Sequence, residues 1–172
     1  MNGQSMITMS NMTLHGQKPN SLETELFQRI INRMIPSLQP QQEKILQDYM
    51  EMVDTNCRIK SRQAFGRRGG VSTIANAIAL AEGHLGKSVI FMGETSFETR
   101  RCVSNIRDFS PLGEAALTYN VSYMTPKDNF YGRRCDILIY ESFFSHINKD
   151  IARSFKQSIA AFQPIRAYMI HS

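Results

Sequence analysis

The segment Gly66-Arg-Arg-Gly-Gly-Val-Ser-Thr73 lies between a short alternating run and a long apolar run. Glycines ahead of a helix let backbone N–H groups converge on an anion, and the helix dipole adds to the attraction. The spacing approaches GxxxxGK[ST], in which a lysine contacts nucleotide phosphates and a hydroxyl binds Mg2+. The lysine is missing, and two registers describe its loss. Counted from Gly66, Val71 replaces the second glycine, Ser72 the lysine, and Thr73 takes the metal-binding position. Counted from Gly70, Val71 replaces the lysine and Ser72 takes that position. Arg67, Arg68 or Lys60 could bring a charge from elsewhere. A rigid guanidinium does not simply replace a flexible ammonium.

The second chemical feature is Ile137-Leu138-Ile139-Tyr140-Glu141-Ser142, an apolar strand running into one acid. Phosphoryl transfer asks for an acid that holds Mg2+ and a group that orients the attacking water. Either Glu141 holds the metal and Ser142 leaves the water position empty, or Tyr140 replaces the metal ligand and Glu141 is the base. Each missing group is worth about 100-fold or more in rate. Losses at both ends of the site predict a protein with no catalytic residues and no cofactor. The alternative is a nucleotide site built from Gln42, Gly70, Ser72, Thr73 and Glu141, with ATP and Mg2+ as cofactors.

Charge placement gives the third feature. Residues 1–56 carry four Lys/Arg against six Asp/Glu, residues 57–107 nine against three, and residues 108–172 seven against six. The excess surrounds the glycine loop, which points to an anionic partner with nucleic acid first in line. Lys60 and Arg62 lead into the loop, Arg67 and Arg68 occupy it, and Arg100 and Arg101 follow the second strand. A second cluster, Lys127, Phe130, Tyr131, Arg133 and Arg134, sets cations beside rings. Backbone neutralisation combined with base stacking is how single strands are held without sequence readout. The nucleic-acid set is therefore these eleven residues, with single-stranded DNA preferred.

The elements that must position these groups follow from periodicity. Residues 1–20 are polar and Met-rich and read as a flexible arm. Residues 21–172 read as one α/β domain with a helical lead-in over 21–55. Ser21 caps a helix that Pro36 stops; Pro40 opens another, with Ile45, Leu46, Tyr49, Met50 and Val53 on one face. Strands are expected at 57–62, 88–92, 117–124, 137–140 and 166–170, and helices at 73–85, after Thr95 or Ser96, and at 148–162. Alternation of strands and helices implies a three-layer α/β domain with a mainly parallel sheet. A glutamine near the second helix start, Gln42, has an amide able to read an adenine edge.

Other chemistries find little support. Cys57, Cys102 and Cys135 are three, far apart and without a C-x-x-C pair, which fits a reduced, intracellular setting. His15, His84, His146 and His171 lack ligand spacing. No apolar run approaches the ~18–20 residues that span a bilayer, and the first residues lack the basic start and apolar core of a signal peptide.

Four segments in order resemble the ATPase domain of phage terminase large subunits and related helicase-type P-loop ATPases. LQPQQEKIL is similar to their adenine-sensing glutamine segment, and IKSRQ…GGVST sits where they carry the Walker A loop. RRCDILIYES is similar to the Walker B strand, and RAYMIHS to the strand carrying the coupling motif. The resemblance covers about Leu38 to Ser172 and implies a P-loop NTPase-like fold of RecA or terminase type, with both Walker motifs degenerate and no nuclease domain. It implies phage origin and the cytoplasm of an infected bacterial host. The expected role is a non-catalytic accessory factor in replication, transcription or packaging. Its partners would be nucleic acid, a phage polymerase or packaging protein, and further copies of itself. The alternatives are a small ATPase module with a displaced basic residue and a protein–protein adaptor or host-enzyme inhibitor.

Overall fold

The central strands are buried along almost their whole length because the sheet has a helix layer on each side. The computed structural model describes residues 18–64, 70–93, 120–142 and 148–171. Its elements in order are α1 (Lys18–Met34), α2 (Pro40–Asp54), β1 (Ile59–Gln63), α3 (Val71–His84), β2 (Val89–Gly93), β3 (Val121–Met124), β4 (Ile137–Ser142), α4 (Asn148–Phe162) and β5 (Arg166–His171). The five strands form one sheet in the order β1-β5-β4-β2-β3, and every pairing is parallel. Residues 1–17, which hold most of the expected arm, lie outside the described residues, as does the helix expected after Thr95 or Ser96.

Alternate residues of the central strands feed two cores. Val89, Phe91, Ile137, Ile139, Tyr168 and Ile170 join the core under α1, α2 and α3. Ile90, Met92, Leu138, Tyr140, Ala167 and Met169 join the core under α4. This division is what period-two side-chain placement produces when both faces of a parallel sheet are covered. The three-layer α/β architecture expected from the sequence is thus observed.

Helix α3 is apolar nearly all round because it is covered by the sheet on one side and by α1 and α2 on the other. It starts at Val71, two residues before the expected Thr73, and Gly86 at φ 90° follows its end. Within the described residues β3 covers only Val121–Met124 of the expected 117–124, and α1 begins at Lys18. Helix α2 takes Pro40 in its first turn, where the missing N–H costs nothing.

The connections place a crevice. From β2 the chain moves outward to β3, whereas from β4 it moves the other way to β5. Ligands of open parallel sheets bind at the carboxyl ends of strands where such directions diverge. Gly93 of β2 and Glu141 of β4 are partners at that point.

A polar seam runs through the helix layer. The Tyr49 hydroxyl donates to Glu82 at 2.9 Å and the Tyr168 hydroxyl to Asp48 at 3.0 Å. Burial first, and the adjacent carboxylates next, push both phenols above the ordinary tyrosine range. Because the folded values are raised, un-ionised Tyr49 and Tyr168 contribute stability fully below the unfolded value of about 10, and it is lost as pH rises further. Urea unfolding should therefore give a stability that falls above about pH 10. The fall should be shallower when Tyr49 and Tyr168 are both replaced by phenylalanine. An unchanged slope in that variant would contradict the assignment.

Candidate functional site

Three elements converge on the amino end of α3. Gly70 caps the helix in the left-handed region at φ 66°. The Gln42 side chain on α2 donates from Nε2 to the Gly70 carbonyl at 3.0 Å, and its Oε1 accepts the Gln39 N–H at 2.9 Å. A Cβ on residue 70 would lie 2.3 Å from Gln42 Nε2, so glycine is required by backbone angle and by space. Gln42 is buried, with both ends of its amide engaged. It braces the glycine corner.

In the first turn of α3, the Ser72 hydroxyl donates to the Glu141 carboxylate of β4. Of the hydroxyls at Ser72 and Thr73, it is that of Ser72 that meets the acid. Counting from Gly70 puts the hydroxyl that faces the acid at Ser72, with Glu141 opposite it and Ser142 next in the strand. Val71, at the lysine position of that register, is 5% exposed and packs in the core. Thr73 is half-buried beside the pair.

Two residues that motif reading missed hold this corner. The buried Asn76 donates from Nδ2 to the Ser72 carbonyl at 2.8 Å and accepts the Tyr123 hydroxyl on Oδ1 at 3.0 Å. They tie the first turn of α3 to β3. The available signal was an amide inside an otherwise apolar helix, which needs a partner when buried.

The expected cations divide into two kinds. Lys60 pairs with Asp48 at 2.7 Å and Glu51 at 3.0 Å, and Arg62 lies 3.5 Å from Asp48. The hydrogen bond that Lys60 donates to Asp48 is the first cause that holds its ammonium above the ordinary lysine range. Strand alternation explains the pairing: Lys60 and Arg62 point toward α2, while Ile59, Ser61 and Gln63 face outward and are exposed. Their charge is already met within the protein by Asp48 and Glu51. Arg67, Arg68, Arg100 and Arg101 lie outside the described residues.

The loop between β3 and β4 carries the second kind. Lys127, Arg133 and Arg134 are exposed, and among the described residues none has a carboxylate within ion-pairing distance. Arg133 Nη1 rests 3.6 Å from Met124 Sδ, and Arg134 Nη1 donates to Gln163 Oε1 at 2.7 Å, so both contacts are with neutral groups. Tyr131 is 95% exposed. Phe130 turns inward instead, edge-on to Phe162 with ring centroids 5.0 Å apart. It anchors the loop on α4.

The loop is ordered by its own backbone contacts. Asp128 accepts the Thr125 N–H at 2.6 Å and its hydroxyl at 3.2 Å. The Tyr131 N–H donates to Asn129 Oδ1 at 2.9 Å, and the Arg133 N–H to the Phe130 carbonyl at 3.2 Å. Gly132 takes φ 72°, a turn that a side chain would strain.

Among the described residues no group of three or more His, Cys, Asp or Glu is placed to hold a metal, and no helix is long and apolar enough to cross a membrane. Burial pushes the Cys135 thiol up to about 12, which leaves it protonated and a poor nucleophile at neutral pH. No protein-family model matches this chain, and no curated protein matches it either.

Proposed function

We propose that this protein binds nucleic acid without catalysis, preferring single-stranded DNA, and that Lys127, Tyr131, Arg133 and Arg134 are contacts. The observation that carries the reading is uncompensated positive charge beside a fully presented ring. A cation without a carboxylate partner has its charge available for a phosphate, and an exposed ring has its face open to a base. Lys60 and Arg62 offer the contrast, since each would have to leave Asp48 first. Val71 in the core and Ser142 after Glu141 support the non-catalytic part of the reading. The motif resemblance favours a phage accessory role in replication, transcription or packaging.

The test is oligonucleotide affinity in loop variants. Tyr131→Ala should cost about 1–3 kcal/mol for one stacked base. Arg133→Ala should weaken all sequences alike and reduce the log–log salt slope by about 0.7. Affinity unchanged in both variants would remove the loop from the interface.

A second reading is favoured by the meeting of Gly70, Ser72 and Glu141 at the α3 amino end. On that reading the protein is a nucleotide-binding module, with the hydroxyl and the acid sharing a Mg2+ ion beside ATP. Titration with a fluorescent ATP analogue and Mg2+ tests it. Binding lost in Glu141→Gln supports the reading, and no binding by the unaltered protein eliminates it.

A further inference from the structure

The position of the β3–β4 loop in the fold gives the interface a direction. Thr125 follows Met124, whose partner Met92 is level with Tyr140, so the loop begins at the carboxyl edge of the sheet. It ends at the other edge, where the Cys135 N–H donates to the Phe162 carbonyl at 3.3 Å and the Asp136 N–H to the Ser88 carbonyl at 2.9 Å. Between these points it descends the flank of the sheet on the α4 side, held there by Phe130 on Phe162. The height crossed is about five strand residues, or roughly 16 Å. Lys127 lies at the carboxyl-edge end, where the Arg133 guanidinium also reaches Met124 Sδ, Arg134 lies toward the amino edge against Gln163, and Tyr131 falls between Lys127 and Arg134 in the chain.

We infer that a single strand lies along this flank, parallel to the β-strands, with its phosphates on Lys127, Arg133 and Arg134 and one base on Tyr131. The inference rests on the nucleic-acid reading above and deepens it. The occupant is a single strand because the ring needs an unpaired base face, which a stacked duplex does not offer. Charge complementarity supports it: three cations against the carboxylates of Asp128 and Asp136, whose Oδ2 atoms already accept from Thr125 and Ser88. At about 3.4 Å per nucleotide in a stacked strand, the track covers roughly five nucleotides. Its Lys127 end opens toward the edge that holds Ser72 and Glu141. Strand β3 is two places from β4, about 10 Å at normal strand spacing. A strand longer than the track therefore runs on toward the glycine corner.

The experiment is fluorescence anisotropy with oligo-dT of two to twelve nucleotides at 0.1 M salt. It compares the unaltered protein with Lys127→Ala, Tyr131→Ala, Arg134→Ala and a control, Lys44→Ala on exposed α2, and checks each variant for unchanged thermal unfolding. Affinity should rise steeply to about five nucleotides and slowly thereafter. Lys127→Ala and Arg134→Ala, at opposite ends, should each lower the five-nucleotide affinity about fivefold, the effect of one contact of slope −0.7 at that salt. Tyr131→Ala should lower it about tenfold, and Lys44→Ala should change nothing. Salt-sensitive binding that ignores Lys127 and Arg134, or that saturates at two nucleotides, overturns the track and leaves the nucleic-acid reading standing. No binding at any length overturns both. Equal displacement by a polyglutamate peptide of matched charge overturns the choice of occupant.

Discussion

Replacing Glu82 with glutamine should destabilise the protein by about 3 kcal/mol, at the lower end of the cost of breaking a buried ion pair. Glu82 is 1% exposed in the last turn of α3, where it accepts from Arg166 Nη2 at 3.2 Å and from the Tyr49 hydroxyl. Burial pushes its carboxyl above the usual range, against the pull of Arg166 and Tyr49. The amide oxygen of glutamine can still accept both hydrogen bonds, so the substitution removes the charge and little else. Arg166, itself buried, would then keep only Glu23 at 3.6 Å. The midpoint of thermal unfolding should drop by about 6–12 °C for a chain of this size. Replacing Glu82 and Arg166 together with methionine should recover most of the loss, because a well-packed apolar pair avoids the desolvation cost of both charges. A single variant as stable as the unaltered protein would mean that the pair contributes nothing.

Gly70→Ala should cost about 3 kcal/mol, from two separate causes. An L-residue in the left-handed region costs roughly 1–2 kcal/mol. The new methyl group also meets Gln42 Nε2 at 2.3 Å and Cδ at 2.9 Å, so the side chain must leave. Its departure strands the Gln39 N–H and leaves the Gly70 carbonyl with the Ile74 N–H alone. In a Gln42→Ala background the steric part disappears, so the second substitution should cost less there than in the unaltered protein. Chemical denaturation of the four combinations measures that coupling. Purely additive costs would show that Gln42 does not brace the corner.

The sheet was legible in the sequence because its strands are short apolar runs separated by helices with clear periodicity. Ile137 to Tyr140 and Val89 to Met92 read as buried parallel strands, and they pair with one another. The acid at Glu141 and the hydroxyls after Gly70 could be singled out as chemistry. Which hydroxyl met the acid could not, because Ser72 and Glu141 are brought together by the crossover from β1 and not by spacing along the chain. The same limit applied to charge. Lys60 looked available in the sequence, yet its partners sit on the preceding helix, and their nearness depends on how α2 packs beside β1. Arg166 meets Glu82 across 84 positions of sequence. Phe130 and Tyr131 are neighbours of similar type with opposite fates, because a loop has no period that assigns one ring inward and the next outward.

The central claim is that uncompensated cations on the β3–β4 loop bind the backbone of an unpaired strand. The most direct measurement is the affinity of the unaltered protein for a twelve-nucleotide single strand and for the matching duplex between 50 and 200 mM salt, with and without ATP and Mg2+. With three phosphate contacts, the single-strand slope of log affinity on log salt should be near −2. Affinity for the duplex should be weaker, and ATP with Mg2+ should leave the single-strand values unchanged. A flat salt response, or equal binding of both forms, would contradict the account.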